Sequence, residues 1–105
     1  MPERPDPAPP GGPFPPAARD LRRAMAPRLD RESAEVWFAE YPFRQDPAAV
    51  RRERAGLIAF LVRLGVPAEA DDELDNSPAV QLGPGADLDW AEAVVADWVA
   101  GGDHP

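Results

Sequence analysis

Proline sets where helices can form in this chain. Fifteen of the 105 residues are proline, and each one lacks an amide hydrogen and pushes the residue before it out of the helical region. Eight of these prolines fall within residues 1–16, which predicts a disordered, proline-rich tail with polyproline II character. The remainder, 17–102, has the length of one small domain, and we expect it to be helical.

The next prolines bound the first two predicted helices. Apolar residues at helical spacing over 17–26 predict a helix that stops before Pro27. A second helix is predicted to end at Pro42, with Asp30 or Ser33 as its N-cap and Phe43 as a core residue after it. Its apolar stripe is formed by Ala34, Trp37, Phe38 and Tyr41.

The clearest helix is predicted over 47–64. Asp46 fits the N-cap and Pro47 fits the first helical position. Gly65 suits the C-terminal cap, and Pro67 stops the helix from continuing. The expected buried face contains Val50, Leu57, Ile58, Leu61 and Val62, widened by Phe60 and Leu64.

A last helix is predicted over 88–100, with Asp87 as its N-cap. Trp98 falls on its apolar stripe and is expected in the core, whereas Trp90 lies off the stripe and is expected to be partly exposed. The stretch 66–86 has little regular pattern and is predicted to be a long linker, in which 79–82 is extended. Together these patterns predict an all-α fold of four short helices.

Charge is distributed unevenly along the chain. The formal net charge is −8, and all 11 basic side chains are arginine. Residues 1–63 hold every arginine and carry +2, whereas 64–105 hold ten acids, no base and −10. Such asymmetry indicates a charged interaction surface, unless the arginines pair with the acidic half inside the molecule. The net negative charge argues against general affinity for nucleic acid or anionic membranes.

The residue types present exclude several kinds of chemistry. The chain has no cysteine, and its one histidine is His104. Disulfide scaffolds, thiolate zinc sites and histidine-based catalysis are therefore excluded. The acids of 71–75 alternate like the first ligands of a calcium loop, but Asn76 and Leu82 stand where that loop needs glycine and glutamate. We therefore expect no metal site, no cofactor, no catalytic residue and no enzymatic activity.

Composition also bears on where the protein resides. The absence of lysine beside abundant alanine, proline and glycine is typical of a GC-rich bacterial genome. No apolar run approaches the roughly 18 residues that a membrane span needs. The first ten residues lack the basic start and apolar core of a signal peptide. The sequence therefore predicts a soluble cytoplasmic protein.

An acidic surface for a protein partner is the function that these patterns favour. The loop 69–75 and the last helix would face a basic surface on the partner, as in a small regulator, inhibitor or adaptor. Trp90 would supply an aromatic anchor in that surface. The predicted partner-binding residues are Asp71, Asp72, Glu73, Asp75, Asp89, Trp90, Glu92 and Asp97.

Two other interpretations stay open. Arginines on the first and third predicted helices would form a phosphate-binding face in a nucleic-acid-associated protein. That face would comprise Arg19, Arg22, Arg23, Arg51, Arg52 and Arg54. A homodimer is compatible with either function, because a second copy would cover the broad apolar faces of the short helices.

Overall fold

A computed structural model describes residues 18–71 and 78–101, with the side chains of Ala18 and Arg19 outside the description. The predicted tail 1–16 and three predicted partner-binding residues, Asp72, Glu73 and Asp75, lie outside the described residues. The elements in chain order are α1 (Ala18–Met25), β1 (Arg28–Asp30), β2 (Glu35–Trp37), α2 (Glu40–Gln45), α3 (Pro47–Arg63), β3 (Ala68–Asp71), β4 (Ala79–Leu82) and α4 (Leu88–Val99).

The prediction of an all-α fold is wrong, because a four-stranded antiparallel sheet accompanies the four helices of the described residues. The strand order is β1-β2-β4-β3. The two central strands, β2 and β4, pair with each other, and each also pairs with the strand that precedes it in the chain. The fold is therefore mixed α and β, with two antiparallel strand pairs joined into one sheet.

The second predicted helix is replaced by the β1–β2 hairpin. The Asp30 carboxylate accepts hydrogen bonds from the backbone amides of Glu32 (3.0 Å) and Ser33 (3.4 Å). The side chain of a helix N-cap accepts the same kind of hydrogen bond from an amide two or three residues ahead. An aspartate at position 30 is therefore compatible with the start of a helix and with a turn. Here the chain turns instead, and Ala34 adopts a positive φ of 56°, which is incompatible with a continuing helix.

The residues after this turn follow strand periodicity. Val36 and Phe38 are buried, whereas Glu35 and Trp37 between them are half-buried, which is the alternation of a strand with one covered face. Pro42 does not end a helix, because it lies in the first turn of α2. Amides of the first turn have no helical acceptor, so proline is tolerated there.

The boundaries predicted for the two longest helices are confirmed. The Asp46 carboxylate accepts from the amide of Ala49 at 3.1 Å, and the Asp87 carboxylate accepts from that of Trp90 at 3.1 Å. Gly65 ends α3 with a φ of +94°, a conformation that glycine adopts without strain.

The face that α3 buries differs in part from the predicted one. Val50, Leu57, Phe60 and Leu61 are buried, but Val62 is 54% exposed. Arg54, which was not predicted to be on the buried face, is buried. The long apolar stem of an arginine can pack like an aliphatic side chain, so the polarity of a residue did not by itself predict which side of this helix is buried.

The helices of the described residues lie on one face of the sheet, where α3 contacts β3, α4 contacts β1, and α1 and α2 pack against α3. Leu29, Val36, Val80 and Leu82 of the strands pack in one apolar cluster with residues of the helices, among them Met25, Leu57, Leu61, Val94 and Trp98. The cross-strand register places Leu29, Val36 and Val80 on the same side of the sheet. Because side chains alternate along a strand, the strand residues between these positions lie on the opposite face, away from the helices, whereas Ala68 and Ala70 share the helix side with Leu82 and Val80.

A buried arginine joins three of the helices. The Arg22 guanidinium donates to the Glu53 carboxylate at 2.9 Å and to the Trp98 carbonyl at 3.0 Å. It also stacks over the Trp98 ring, 4.5 Å from the ring centroid. α1, α3 and α4 are thus held together by one charged group, which the sequence pattern assigned to an exposed face.

Candidate functional site

Strand pairing places two rows of residues on the face of the sheet that lies away from the helices. Asp30, Glu35, Gln81 and Glu69 lie side by side across the four strands. The neighbouring row contains Arg28, Trp37, Ala79 and Asp71. Cross-strand neighbours on one face are close enough to interact, so these eight positions form one continuous surface, which we call the outer sheet face.

Negative charge dominates the outer sheet face. Four of its eight residues are acidic, namely Asp30, Glu35, Glu69 and Asp71, and we call these four the acidic face. Arg28 is the one basic residue among the eight. Asp30 and Glu69 are exposed, whereas Glu35 and Asp71 are half-buried.

Two of these carboxyl groups are in contact. Glu35 on β2 pairs with Gln81 of β4, and Asp71 on β3 pairs with Ala79 of β4, so the two carboxyl groups lie on the same face, diagonally across β4. The hydrogen bond with Asp71 raises the pKa of Glu35, and partial burial and the negative charges of Asp71 and Asp30 raise it further, against a lowering by a hydrogen bond with Ser33. When both carboxyl groups are ionised, the pair is repulsive, and a nearby cation would relieve it.

Trp37 completes this part of the surface. It occupies the same row as Asp71, on the other side of Ala79, and it is half-buried. Its indole Nε1 is buried without a hydrogen-bond partner. Sequence reasoning missed Asp30, Glu35 and Trp37 as surface residues of interest, although the alternation of polar and apolar residues over 35–38 carried that information.

A depression links the acidic face to the start of α4. It has a volume of about 510 Å³ and lies at the end of the sheet nearest the β1–β2 turn. Glu69 of the acidic face and Leu88 of α4 both line it, and the segment 83–86 forms much of its wall. Of the predicted acidic loop 69–75, Glu69 is the described residue that lines this depression, and neither Asp71 nor the predicted residues of α4 (Asp89, Trp90, Glu92 and Asp97) are part of its wall.

The acids of α4 are partly engaged inside the molecule. Arg31, in the β1–β2 turn, contacts Asp89 at 2.9 Å and Glu92 at 2.7 Å. Hydrogen bonds with Glu92 and then Asp89 raise the pKa of Arg31. One arginine of the first half of the chain thus faces acids of the second half. Asp97, further along α4, is exposed.

Trp90 is 46% exposed, in accord with its position off the apolar stripe, whereas Trp98 is fully buried. The Trp90 indole N–H donates to the backbone carbonyl of Leu64 at 2.8 Å. This bond fixes the ring of Trp90 against the end of α3.

The six arginines of the alternative face do not lie on one surface. Arg22 and Arg54 are buried, and the side chain of Arg19 lies outside the described residues. Arg51 is exposed and stacks over the Phe43 ring, 5.0 Å from its centroid. The other exposed members are Arg23 and Arg52.

Within residues 18–71 and 78–101, no three His, Cys, Asp or Glu side chains are grouped so that they would hold a metal ion. None of the helices there combines the length and the apolar character that crossing a membrane requires.

Comparison with known proteins does not assign the chain to a family: no family model matches it, and no curated protein or solved structure is significantly similar to it.

Proposed function

We propose that the protein is a small binding module that docks a protein partner with a basic surface on its acidic face. The observation that carries this proposal is the outer sheet face itself, on which strand pairing places four carboxylates and one guanidinium on the side away from the helices. A regulator, inhibitor or adaptor acting in the cytoplasm, by recognition rather than catalysis, is the class of protein that such a module suits.

Charge on the outer sheet face is unbalanced. It holds the four carboxylates of the acidic face against the single guanidinium of Arg28. A lysine or arginine side chain from a partner would offset the repulsion within the Glu35–Asp71 pair. Complementary charge of this kind chiefly accelerates encounter and orients the partner, and its effect falls with salt.

Further acids would extend the surface on both sides. Asp72 and Glu73 follow Asp71 directly in the sequence, and Asp75 comes after Leu74. Beyond the depression, Asp89, Glu92 and Asp97 add charge on α4, reduced by the pairing of the first two with Arg31. We propose that these residues add to the electrostatic attraction that guides the partner, and that the acidic face lies at the centre of the contact.

Nucleic-acid binding is the competing function. It would depend on Arg23, Arg51 and Arg52, the exposed members of the arginine set. The burial of Arg22 and Arg54 leaves that set smaller and more dispersed than the acidic face, and we therefore favour a protein partner.

Paired double variants test the proposal. The tagged protein would be used to capture partners from a lysate of its native host, with and without nuclease, at low and moderate salt. E69Q/D71N removes two charges from the acidic face, and D20N/E40Q removes two from exposed positions on α1 and α2.

We expect a discrete partner that survives nuclease, weakens with salt and is captured about tenfold less by E69Q/D71N. D20N/E40Q should capture it like the unmodified protein. Equal capture by both variants would refute the acidic face as the binding surface. If capture is lost after nuclease treatment and in R51A/R52A, the result would instead support nucleic-acid binding through the exposed arginines.

A further inference from the structure

The exposed side of α3 is basic, although the net charge of the chain is −8. Arg51, Arg52 and Arg63 are exposed on it, and we call these three arginines the basic face. Helical periodicity places this side away from Val50 and Leu57, which are buried in the core. The other exposed residues of α3 are uncharged, namely Pro47, Ala48, Ala55, Ala59 and Val62.

No carboxylate pairs with the basic face within residues 18–71 and 78–101. Two of its guanidiniums lie over aromatic rings instead, Arg51 over Phe43 at 5.0 Å and Arg63 over Phe60 at 5.4 Å from the ring centroid. Stacking of this kind orients a guanidinium and leaves its N–H groups able to donate. The basic face thus offers oriented donors to an acidic surface from outside the molecule.

The acids of α3 and of its N-cap are engaged with other groups. Asp46, at the N-cap, accepts from the backbone amide of Ala49. Glu53 pairs with Arg22 on the other side of the helix. Glu53 is half-buried and Asp46 is exposed. Along the exposed side of α3 and its N-cap, three guanidiniums therefore stand against one carboxylate.

The basic face and the acidic face lie on opposite sides of the described fold. α3 packs on the helix side of the sheet with its exposed side turned away from the core, whereas the acidic face is on the other side of the sheet. The two surfaces cannot meet within one molecule, but they can meet between two. A contact between two different patches leaves one patch free at each end, so it extends into a ring or a chain of copies.

The two surfaces also agree in size. Arg51 and Arg63 are 12 residues apart, which is about 18 Å along a helix at a rise of about 1.5 Å per residue. Asp30 and Glu69 lie on the two edge strands of the sheet, three strand spacings or about 14 Å apart. A helix laid across the four strands would therefore bring guanidiniums to carboxylates at both edges of the sheet.

We infer that copies of this chain associate head to tail, with the basic face of one copy on the acidic face of the next. The inference goes beyond the proposed function, because it needs no second protein. A partner with a basic surface would compete with the second copy for the acidic face. Complementary charge orients this contact, while the net charge of −8 on each copy opposes it and keeps the association weak.

Sedimentation equilibrium of the purified chain tests the inference. Protein would be studied from micromolar to millimolar concentration at about 0.1 M salt, where charges more than about 10 Å apart are largely screened. E69Q/D71N removes two charges from the acidic face, and R51Q/R52Q removes two from the basic face. Circular dichroism would check the fold of each variant, with D30N/E35Q and R52Q/R63Q as second variants if the first ones unfold.

A third variant, R23Q/R44Q, is the matched control. It removes two arginines with side chains 64% and 67% exposed, each of which lies against a carboxylate of its own helix. The control should associate like the unmodified protein, whose mean mass should rise with concentration beyond that of two chains. Unequal association of these two proteins would mean that positive charge in general, rather than the basic face, carries the contact, and would overturn the inference.

We expect E69Q/D71N and R51Q/R52Q, each alone, to associate at least about tenfold more weakly than the unmodified protein. The loss in E69Q/D71N is the more telling, because its smaller net negative charge would strengthen association if only general repulsion mattered. A mixture of the two variants retains one basic face and one acidic face, so it should form complexes of two chains and none larger. A monomer at every concentration, undiminished association of either variant, or no complex in the mixture would each contradict head-to-tail association.

The outcomes for this inference and for the proposed function are separable. If the purified protein stays monomeric but a partner from the lysate is lost in E69Q/D71N, head-to-tail association is wrong and the proposed function is retained. If the chains associate as expected but capture through the acidic face recovers only further copies of this chain, the inference stands and the proposed function is wrong.

Discussion

Glu35 and Asp71 show how strand pairing changes the surroundings of single residues. They lie far apart in the sequence, and the pairing of β2 and β3 with β4 places both on the outer sheet face. There a hydrogen bond with Asp71 raises the pKa of Glu35. The folded protein therefore contains a repulsive pair whenever both carboxyl groups are ionised.

Replacing Glu35 tests this pair through the pH dependence of stability. Because the pKa of Glu35 is raised on folding, the folded state binds this proton more tightly than the unfolded state does. The resulting stability is present at low pH and is lost as pH rises through the raised pKa. We therefore expect E35Q to be more stable than the unmodified protein at pH 7, by about 0.2–1 kcal/mol.

Urea unfolding of both proteins between pH 4 and pH 7.5 would check this expectation. The difference in free energy of unfolding should shrink as pH falls toward the ordinary range of glutamate, roughly pH 4. A variant that is less stable than the unmodified protein at pH 7, or a difference that does not change with pH, would contradict the account.

At the scale of elements, the helices are joined by Arg22 rather than by apolar contacts alone. The guanidinium and the Glu53 carboxylate have side chains only 10% and 20% exposed. In E53A the largely buried charge would lose this carboxylate, and we expect a loss of about 2–3 kcal/mol in the free energy of unfolding. Chemical denaturation gives that value directly.

A surface pair supplies the control for that change. Glu40 and Arg44 are 2.6 Å apart on α2, with side chains 47% and 67% exposed. E40A should change the free energy of unfolding by no more than about 0.5 kcal/mol. Similar losses in the free energy of unfolding for E53A and E40A would mean that burial does not increase the contribution of the Arg22–Glu53 pair to stability.

The elements also show which sequence signals were sufficient. Asp46, Pro47 and Gly65 each act at the backbone position they favour, and α3 was predicted within one residue of its observed end. The hairpin was missed because its apolar residues fit helical spacing as well as strand alternation. Strands of three residues, such as β1 and β2, contain too few positions to distinguish the helical period from the strand period. Pairing with other strands in the folded protein therefore determines which structure forms.

At the scale of the whole molecule, the missed sheet changes the candidate site. Glu69 and Asp71 were expected in an irregular loop, and the sheet instead places them beside Asp30 and Glu35. Sequence reasoning identified the charge asymmetry and the exposed Trp90. It missed the acidic face, because that surface arises only when β2 and β4 pair over a separation of more than 40 residues.

Zero-length cross-linking tests the central claim, that the acidic face binds a basic protein partner, most directly. A carbodiimide couples carboxyl groups to lysine amines, and this chain has no lysine of its own. The tagged protein would be cross-linked in a lysate of its native host, and mass spectrometry would identify the coupled carboxylates. We predict that a discrete partner is joined through Asp30, Glu35, Glu69 or Asp71. Coupling confined to distant carboxylates such as Asp20 and Glu40 would contradict the account.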